Sequence, residues 1–289
     1  MDLSTSWNAN ARENGTKQED GGNEREMDER EEFYVRNVRK RLQSKASSIL
    51  ICGGGSVDKN VFEQLGFSNV TICNLDTRVG ENDFAPFQWK FENAESLSFP
   101  DNHFDYVVIH AAIHHAASPH RVLTEMYRVC RKGVLAFEGR DSLLMRLMER
   151  LGFAQVYEPT AVYMNDCKFG GVNNTEIPNF IYRWTEREVE KTIQSYSPLY
   201  KHNILYSYGT ALPCTPELEK GAKIKRILIT VLRPVYLLFA GIFFRQQNQF
   251  AFFVEKSGSP AALFPWLTPG ESEGEVRFSK EWGDRQYRH

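Results

Sequence analysis

From residue 48 onward, short apolar runs rich in β-branched residues alternate with stretches of helical periodicity. In chain order the strand-like runs are SILICGG, NVTICNLD, FQWKFEN, FDYVVIHAAI and VLAFEG, and helix-like segments such as VDKNVFEQLG and HRVLTEMYRVCRKG lie between them. This β-α-β alternation predicts a parallel sheet with helices on both faces. In that architecture ligands bind beyond the carboxyl ends of the strands, so we expect the chemistry in the residues that follow each strand.

The later segments predict how the sheet is completed. HNILYSYG and NQFAFFVEKSG are strand-like, and as an antiparallel pair they would close the sheet. Between the fifth strand and this pair, Thr185 is followed three residues later by Glu188, a capping box that predicts a helix start. The expected fold is α/β: a Rossmann-like, doubly wound, mostly parallel seven-stranded sheet with an antiparallel last strand and helical insertions that cover the site.

Composition divides the chain into a central domain and two tails. Residues 1–32 hold ten acidic and four basic residues with almost no branched aliphatic side chains, so we expect a disordered acidic tail. The domain is expected over residues 33–257 and opens with a short helix in EEFYVRNVRKRLQ. Within it, the regular alternation of strands and helices covers 48–141, and 155–245 is the expected substrate or lid region. Residues 258–289 are rich in Pro, Gly and charge and are expected to form an irregular tail.

Charge and hydropathy exclude several classes of function. Lys and Arg number 35 against 37 Asp and Glu, so the chain lacks the basic excess typical of nucleic-acid-binding proteins. The mean hydropathy of -0.46 excludes a polytopic membrane protein. The five cysteines form no C-x-x-C pair, and residues 1–30 hold no apolar signal-peptide core. We therefore expect a cytoplasmic protein with reduced thiols that acts on a small molecule.

A cluster of three glycines, Gly53–Gly55, follows the first predicted strand. Without Cβ atoms the backbone can approach a ligand closely at such a turn. Asp76 ends the second strand, where a carboxylate can accept two hydrogen bonds from a ribose diol. The glycine turn and the acid together predict an adenosine-like ligand. Asp58 stands where the third glycine of G-x-G-x-x-G would lie, which argues against a dinucleotide-dependent oxidoreductase.

The segment FENAESLSFPDNHFDYVVIHAAIHHAASPHRVLTEMYRVCRKGVLAFEG is a more specific signal. It contains the turn AESLSFP, the strand FDYVV followed by IHH, and EMYRVC ahead of a glycine. With SILICGGG and NLD, these motifs resemble the class I S-adenosylmethionine-dependent methyltransferases, in particular the group that includes the ubiquinone and menaquinone biosynthesis methyltransferases. The resemblance spans about residues 48–141 and implies S-adenosylmethionine as the cofactor.

The resemblance also implies roles for residues at the strand ends. In the family, the glycine turn lies against the methionine part of the cofactor, and the acid after strand two holds the ribose. The residue before the alanine of the strand-three turn bonds the adenine amino group. The implied cofactor-binding residues are Gly53, Gly54, Gly55, Asp76, Asn93, Ala94 and His110, with His110 beside the sulfonium and the substrate.

Three positions depart from the family pattern. Ile51 replaces the strand-one acid, Val57 the last glycine and Asn93 the usual aspartate, although the Asn93 side-chain oxygen can still accept a hydrogen bond. Loss of the strand-one acid removes a charge-assisted contact worth about 1.5–3 kcal/mol if the acid touches the cofactor. One alternative is therefore a catalytically inactive methyltransferase-like binding or scaffold protein. An NAD(P)-dependent oxidoreductase is less favoured.

Four histidines follow the fourth strand closely: His110, His114, His115 and His120. An H-x3-H pair on a helix would place two metal ligands on one face. However, His110 lies at a predicted strand end and no Asp, Glu or Cys joins the histidines at ligand spacing, so we expect no metal site. His110 and His115 are candidate general bases because imidazole titrates near neutrality; the alternative is that they only line the cofactor site. In-line placement alone can supply much of the rate, so no base is obligatory.

Residues 227–244, ILITVLRPVYLLFAGIFF, form the most apolar stretch of the chain. Arg233 and Pro234 interrupt its centre, and a single span would leave two strands of one sheet on opposite sides of a bilayer, so we reject a transmembrane helix. Two interpretations remain open. The stretch is either a pair of helices, broken at Pro234, that covers the site as a lid, or an interfacial segment across 220–245, flanked by Lys and Arg, that makes a peripheral contact with an anionic membrane.

The sequence thus predicts an S-adenosylmethionine-dependent methyltransferase. Its strand-four end reads VIHAAI in place of the N-P-P-Y-type signature of many amino-group methyltransferases, which favours oxygen or carbon as the acceptor on family analogy. The region 155–245 offers aromatic and apolar side chains, compatible with a small, lipophilic acceptor.

Overall fold

The computed structural model describes residues 28–211, 223–256, 262–272 and 274–288. Its centre is a seven-stranded sheet with the spatial order β3-β2-β1-β4-β5-β7-β6. The strands are β1 Ile49–Cys52, β2 Val70–Asn74, β3 Gln88–Phe91, β4 Phe104–His110, β5 Cys130–Gly139, β6 Asn203–Gly209 and β7 Gln249–Glu255. Only β7 runs antiparallel to its neighbours in this sheet. The predicted α/β fold with an antiparallel last strand is confirmed.

The helices lie between the strands and after them. They are α1 Glu29–Arg41, α2 Ser56–Gln64, α3 Glu81–Phe84, α4 Pro119–Val129, α5 Leu143–Arg150, α6 Pro159–Met164, α7 Glu186–Tyr196, α8 Lys223–Ile242 and α9 Lys280–Tyr287. The capping box predicted at the start of α7 is present: Thr185 Oγ1 accepts from the Glu188 N–H, and Glu188 Oε2 accepts from the Thr185 N–H at 2.8 Å. It satisfies two backbone donors at the helix start.

Both faces of the sheet are buried, as the alternation of strand side chains requires. In β1, Leu50 and Cys52 join the core under α4 and α7, whereas Ile49 and Ile51 join the core under α1 and α2. A strand buried on both sides reads as a continuous apolar run rather than as an alternating one, which explains the sequence ILIC. Ile51 therefore occupies a fully apolar site, with no exposed surface.

The first helix, α1, covers one face of the sheet and begins earlier than predicted. Asp28 caps it by accepting from the N–H groups of Arg30 and Glu31. The sequence placed residues 29–32 in the acidic tail, but acidic residues in a first helical turn are stabilised by the helix dipole and so extend the helix. The rest of that tail, residues 1–27, lies outside the described residues. Phe33, Val35, Val38 and Leu42 are all buried.

The region after β7 is more regular than the irregular tail predicted for 258–289. A short antiparallel pair, β8 Leu267–Pro269 and β9 Val276–Phe278, precedes α9. Phe264 and Trp266 stack with their ring centroids 4.5 Å apart, and Trp266 meets Trp282 of α9 edge to face. These aromatic contacts stabilise regular structure in a segment whose Pro and Gly content alone predicted an irregular tail.

The apolar stretch forms one helix, α8, rather than a pair broken at Pro234. Pro234 lies inside it and has no N–H to donate to the preceding turn, yet the helix continues on both sides. None of the described helices is long and apolar enough to cross a membrane. The topological argument also holds, because β6 before this stretch and β7 after it pair directly in one sheet.

Candidate functional site

A cavity of about 630 Å³ opens at the carboxyl ends of β1, β2 and β4. Its lining includes every site residue named from the sequence: Gly53, Gly54, Gly55, Asp76, Asn93, Ala94, His110 and His115. These residues come from four strand ends and the short turn after β4, separated by up to 62 positions in the chain, from 53 to 115. Parallel strands bring them together because all of their carboxyl ends meet at one edge of the sheet.

The glycine turn between β1 and α2 is shaped by close packing. Gly53 has φ +63°, and a Cβ there would lie 2.6 Å from the Cβ of Ala112 after β4. A Cβ on Gly54 would lie 2.8 Å from the Ile72 side chain, whereas one on Gly55 would meet no atom within 4 Å. The first two glycines therefore allow the strand ends to approach each other, and Gly55 leaves open space beside the cavity.

Asp58 stabilises this turn through hydrogen bonds. Its Oδ2 accepts from the Gly55 N–H at 2.9 Å, and its Oδ1 accepts from the Tyr34 hydroxyl of α1 at 2.7 Å. Burial raises the pKa of Asp58 to about 6, although both hydrogen bonds favour the carboxylate. The residue that breaks G-x-G-x-x-G is thus a buried cap for α2, a role that the glycine motif does not anticipate.

At the end of β2, two residues that the sequence analysis missed hold the ribose-site candidate Asp76. Asn74 accepts from the Asp76 N–H at 3.1 Å and donates from Nδ2 to the Gly54 carbonyl at 2.8 Å, so it joins the two turns. Arg78 donates to both carboxylate oxygens of Asp76 and, through Nη1, to Asn165 Oδ1 at 3.1 Å. Asn74 is the last residue of β2, and Asp76 lies two residues beyond it. The strand-end argument that identified Asp76 could therefore also have identified Asn74.

Asn93 lies after β3 and organises its own turn. Its Oδ1 accepts from the Glu95 N–H at 2.9 Å, and its carbonyl accepts from the Ser96 N–H. An amide oxygen has two lone pairs, so this bond leaves it able to accept a second donor. Asn93 and Ala94 both face the cavity.

His110 forms part of the cavity wall at the end of β4. Its ring stacks on Tyr34, with centroids 4.1 Å apart and an interplanar angle of 9°, and meets Phe137 edge to face. Burial, with smaller contributions from Arg30 and His114, lowers the pKa of His110 to about 3. The ring is therefore neutral at physiological pH.

A second cluster, which we call the His–Glu cluster, is formed by His114, His115, Glu138 and Glu158. His114 Nδ1 lies 2.6 Å from Glu138 Oε2, and the other oxygen of Glu138 accepts from the Ile113 N–H. Glu158 Oε2 lies 3.5 Å from His114 Nε2 and also 3.5 Å from His115 Nε2. His115 and Glu158 line the cavity, whereas His114 and Glu138 lie behind them.

The two histidines of this cluster differ in protonation. Burial opposes the charge on His114, but the carboxylates of Glu138 and Glu158 outweigh it and raise the pKa of His114 well above its ordinary value. For His115, burial and the neighbouring His114 charge lower the pKa to about 4. Of the cluster, the sequence analysis named only His115 as a site residue. Glu138 ends β5, where the strand-end argument applies, but Glu158 lies 43 residues beyond His115 and gives no local signal.

Residues 158–174 cover the cavity. Asn165 is held by Arg78, and Asn174 donates to the Leu75 carbonyl at 3.0 Å, so the cover is tied to the end of β2. The cover contains positive-φ residues other than glycine: Asp166, Cys167, Asn173 and Asn174. Such a conformation costs energy and persists only where surrounding contacts fix it.

The apolar stretch 227–244 is not the lid of this cavity. Its helix α8 contributes nothing to the described lining, and large side chains along it are exposed, among them Val235 at 64% and Leu238 at 68%. Because these side chains are exposed and do not line the cavity, the interpretation of this stretch as a lid is wrong. At the carboxyl edge β7 begins at Gln249, opposite Gly139 at the end of β5, so the end of α8 lies at the edge where the cavity opens.

The strand order and the glycine-lined cavity at the carboxyl edge define the Rossmann-like fold of class I methyltransferases. A family model described as a methyltransferase domain matches residues 51–137. Demethylmenaquinone methyltransferases of Anoxybacillus flavithermus and of a Geobacillus species are 36% and 34% identical to this chain over 95 residues. The match covers 32% of this chain and 38% of each relative, so it spans well under half of the relatives' length.

A solved structure supports the fold over a longer part of the chain. It is the complex between the Haloferax volcanii Trm112 methyltransferase activator and a methyltransferase, with a TM-score of 0.50 at 11% identity, covering 80% of this chain and 91% of that one. Residues 51–137 match the methyltransferase-domain family, and the fold is the Rossmann-like fold of class I S-adenosylmethionine-dependent methyltransferases. The cofactor of this class is S-adenosylmethionine.

Proposed function

We propose that this protein transfers a methyl group from S-adenosylmethionine to an oxygen or a carbon of a small, lipophilic acceptor. The observation that carries the proposal is the convergence of Gly53–Gly55, Asp76 and Asn93 on one cavity within the segment that matches the methyltransferase family. The acceptor would enter between the cavity and its cover, residues 158–174.

The cavity residues fit the cofactor. The open space beside Gly55 accommodates the methionine part, since a Cβ there would project into that space. The Asp76 carboxylate can accept from the ribose hydroxyls, and Arg78 fixes its orientation. Asn93 and Ala94 would lie beside the adenine. The missing strand-one acid does not leave a buried polar gap, because Ile51 is packed entirely among apolar side chains.

When bound, the cofactor supplies a methyl group on a sulfonium, which is transferred by in-line displacement. The protein's contribution is then chiefly placement, which can supply about 7–11 kcal/mol of the barrier. We assign His110 to the wall beside the sulfonium, where its neutral ring adds no repulsion to the cationic donor. We assign His115, supported by Glu158, to the acceptor side of the cavity.

The direct test is calorimetry of the full-length chain with S-adenosylhomocysteine. We expect binding by the wild type and a clear loss of affinity in Asp76→Ala. The matched control is Asp284→Ala, in α9 far along the chain, which should bind as the wild type does. No binding by the intact protein, or unchanged binding in Asp76→Ala, would contradict the proposal. Binding without methyl transfer across a broad acceptor panel would favour the scaffold alternative, and a purified cofactor absorbing near 340 nm would favour the oxidoreductase.

We propose further that the lipophilic acceptor is reached from an anionic membrane surface. The support is the exposed apolar surface of α8 and α5, whose side chains include Leu143, Leu147, Val231, Val235, Leu238, Ile242 and Phe244. Leu144 N–H donates to Gln246 Oε1 at 3.1 Å, so the turn after α8, which carries Phe244, contacts α5. Residues 220–248 contain six Lys or Arg and no Asp or Glu, which suits anionic headgroups. Lys220, the first of these six, lies outside the described residues.

Flotation with phosphatidylglycerol-containing and pure phosphatidylcholine vesicles tests this surface. We expect binding to the anionic vesicles, weakened by salt, and its loss in Leu238→Glu. Tyr287→Glu is the matched control, because its side chain is similarly exposed, at 73% against 68%, but lies on α9. Absence of flotation with anionic vesicles would defeat the proposal. A dimer in sedimentation that Leu238→Glu dissociates would assign the surface to a second copy of the chain instead.

A further inference from the structure

We propose that His114, His115 and Glu158 form a binding site for a divalent transition-metal ion of the zinc type. Their ligand atoms, one from each side chain, all lie within 4.8 Å of one another. Imidazole nitrogen and carboxylate oxygen are the usual ligands of zinc, and two histidines with one glutamate form a typical catalytic zinc set.

The distances within the cluster favour a shared ion over direct hydrogen bonds. Glu158 Oε2 lies 3.5 Å from Nε2 of both histidines, which is long for a hydrogen bond between these groups. Two ligands bound to one tetrahedral zinc at 2.0–2.1 Å are separated by about 3.3–3.4 Å. The distance from Glu158 Oε2 to Nε2 of each histidine is therefore close to the distance between two ligand atoms of one zinc ion.

Buried polar atoms in and beside the cluster make no hydrogen bond. His114 Nε2, in a side chain that is only 3% exposed, forms an ion pair with Glu158 Oε2 at 3.5 Å but has no hydrogen-bond partner. Asn179, which donates to Glu158 Oε2 at 3.1 Å, has a buried Oδ1 that is also without a partner. A bound ion would coordinate His114 Nε2 in place of the proton that the neighbouring carboxylates favour.

Glu138 completes the arrangement behind the ligands. Its contact with His114 Nδ1, at 2.6 Å, fixes the ring orientation that aims Nε2 toward Glu158. Histidine ligands commonly donate their second nitrogen to a carboxylate in this way, and removal of that carboxylate typically weakens metal binding about 10–100-fold. Glu138 is thus a positioning residue rather than a ligand.

The ligands His115 and Glu158 line the cavity, so the open coordination positions of the ion face it. An oxygen of a hydroxyl or carboxylate group in the acceptor could occupy them, which would orient it toward the cofactor side. This last step rests on the proposed function, whereas binding of the ion does not. No metal was expected here from the sequence, because Glu138 and Glu158 are distant from the histidines in the chain.

The test titrates the full-length, chelator-treated protein with zinc chloride in calorimetry and with cobalt(II) in visible absorption, both without cofactor. We expect one equivalent to bind and a d–d spectrum typical of four or five coordination. Affinity should fall at least tenfold in His115→Ala and Glu158→Gln, and about 10–100-fold in Glu138→Gln. His120→Ala, a nearby histidine packed against Trp184, is the control and should bind as the wild type does.

The outcomes separate this inference from the proposed function. Thermal unfolding and S-adenosylhomocysteine calorimetry on each variant identify variants that have lost the fold, and His115→Ala is the safest because its side chain is 23% exposed. No zinc or cobalt binding, or affinity unchanged in His115→Ala and Glu158→Gln, would overturn the metal site even if S-adenosylhomocysteine binds. Metal binding without S-adenosylhomocysteine binding would support the site and refute the methyltransferase proposal.

Discussion

Arg78 donates two hydrogen bonds to the carboxylate of Asp76, from Nε to Oδ1 at 2.7 Å and from Nη2 to Oδ2 at 2.6 Å. The same guanidinium bonds Asn165 through Nη1 and lies over the Phe169 ring, with 4.3 Å between Cζ and the centroid. One side chain therefore links the predicted ribose acid to the cover of the cavity. A bidentate pair of this kind fixes the carboxylate plane as well as its position.

Arg78→Ala is expected to weaken S-adenosylhomocysteine binding about tenfold, or about 1.4 kcal/mol. The reason is that Asp76 loses its orientation and the cover loses one tie to β2. Calorimetry measures the affinity, and limited proteolysis reports whether residues 158–174 become more accessible. Arg285→Ala, which removes an exposed ion pair with Glu281 in α9, is the control. Unchanged affinity in Arg78→Ala would mean that Asp76 needs no such support.

The buried carboxyl of Asp58 predicts a pH-dependent contribution to stability. Its pKa is about 6 in the folded protein against about 3.8 when exposed, so the folded state binds the proton more tightly. Its contribution to the free energy of unfolding is therefore greatest below pH 4 and falls as the pH rises through 6, by about 3 kcal/mol in all. The difference in unfolding free energy between wild type and Asp58→Asn should decline over that range in urea titrations.

Tyr34→Phe tests the cause of this dependence. The Tyr34 hydroxyl donates to Asp58 and lowers its pKa, so its removal should shift the decline to higher pH. A difference profile between wild type and Asp58→Asn that is flat from pH 4 to pH 7 would contradict the assignment.

His110 predicts the opposite dependence. Its folded pKa of about 3 lies below the ordinary value of 6.5, so the folded state binds fewer protons and stability is lost as the pH falls. Between pH 7 and pH 4.5 the wild type should lose about 2–3 kcal/mol that His110→Phe retains, since Phe keeps the stacking on Tyr34 without a titratable group. Unfolding at the two pH values measures this. The control is His103→Phe, an exposed ring stacked on Phe99, which should leave the wild-type loss intact.

The sheet and the cavity lining could be predicted because each rests on a local pattern. The central strands of the seven-stranded sheet are apolar runs bounded by turn residues, whereas the edge strand β3, QWKF, is largely exposed. Gly53, Asp76 and His110 lie at or just beyond strand ends. Helix ends were harder. The helix predicted to run through Gly133 ends at Val129, and β5 begins at Cys130, because VCRKG has the composition of either element.

Parts of the site could not be predicted because they depend on tertiary contacts. Glu158 reaches the cavity only because its N–H donates to the Asn179 carbonyl and Asn179 supports its carboxylate. The cover adopts positive-φ conformations at Asn173 and Asn174, which no periodicity reports. For the apolar run 227–244 the sequence left a lid and an interfacial segment open, because composition does not show which surface covers such a run.

Two glycine substitutions in the turn after β1 and one at Gly152, after α5, separate the effects of backbone strain, packing and ligand contact. Gly53→Ala combines a strained φ of +63° with a Cβ 2.6 Å from Ala112, so we expect a loss of about 2–4 kcal/mol in the free energy of unfolding. Gly152→Ala has a similar φ, +73°, but meets no atom within 4 Å, so it should cost only about 1 kcal/mol. Gly55→Ala has neither defect and should leave stability unchanged.

The affinity for S-adenosylhomocysteine should rank the same variants differently from their stability. Because Gly55 lines the cavity and a Cβ there would meet no protein atom within 4 Å, Gly55→Ala should weaken S-adenosylhomocysteine binding at least fivefold while the unfolding midpoint stays at the wild-type value. Gly152→Ala should bind as the wild type does once its lower stability is taken into account. If Gly55→Ala binds with full affinity, the methionine part of the cofactor does not lie against this turn, and the placement of the ligand over Gly53–Gly55 is wrong.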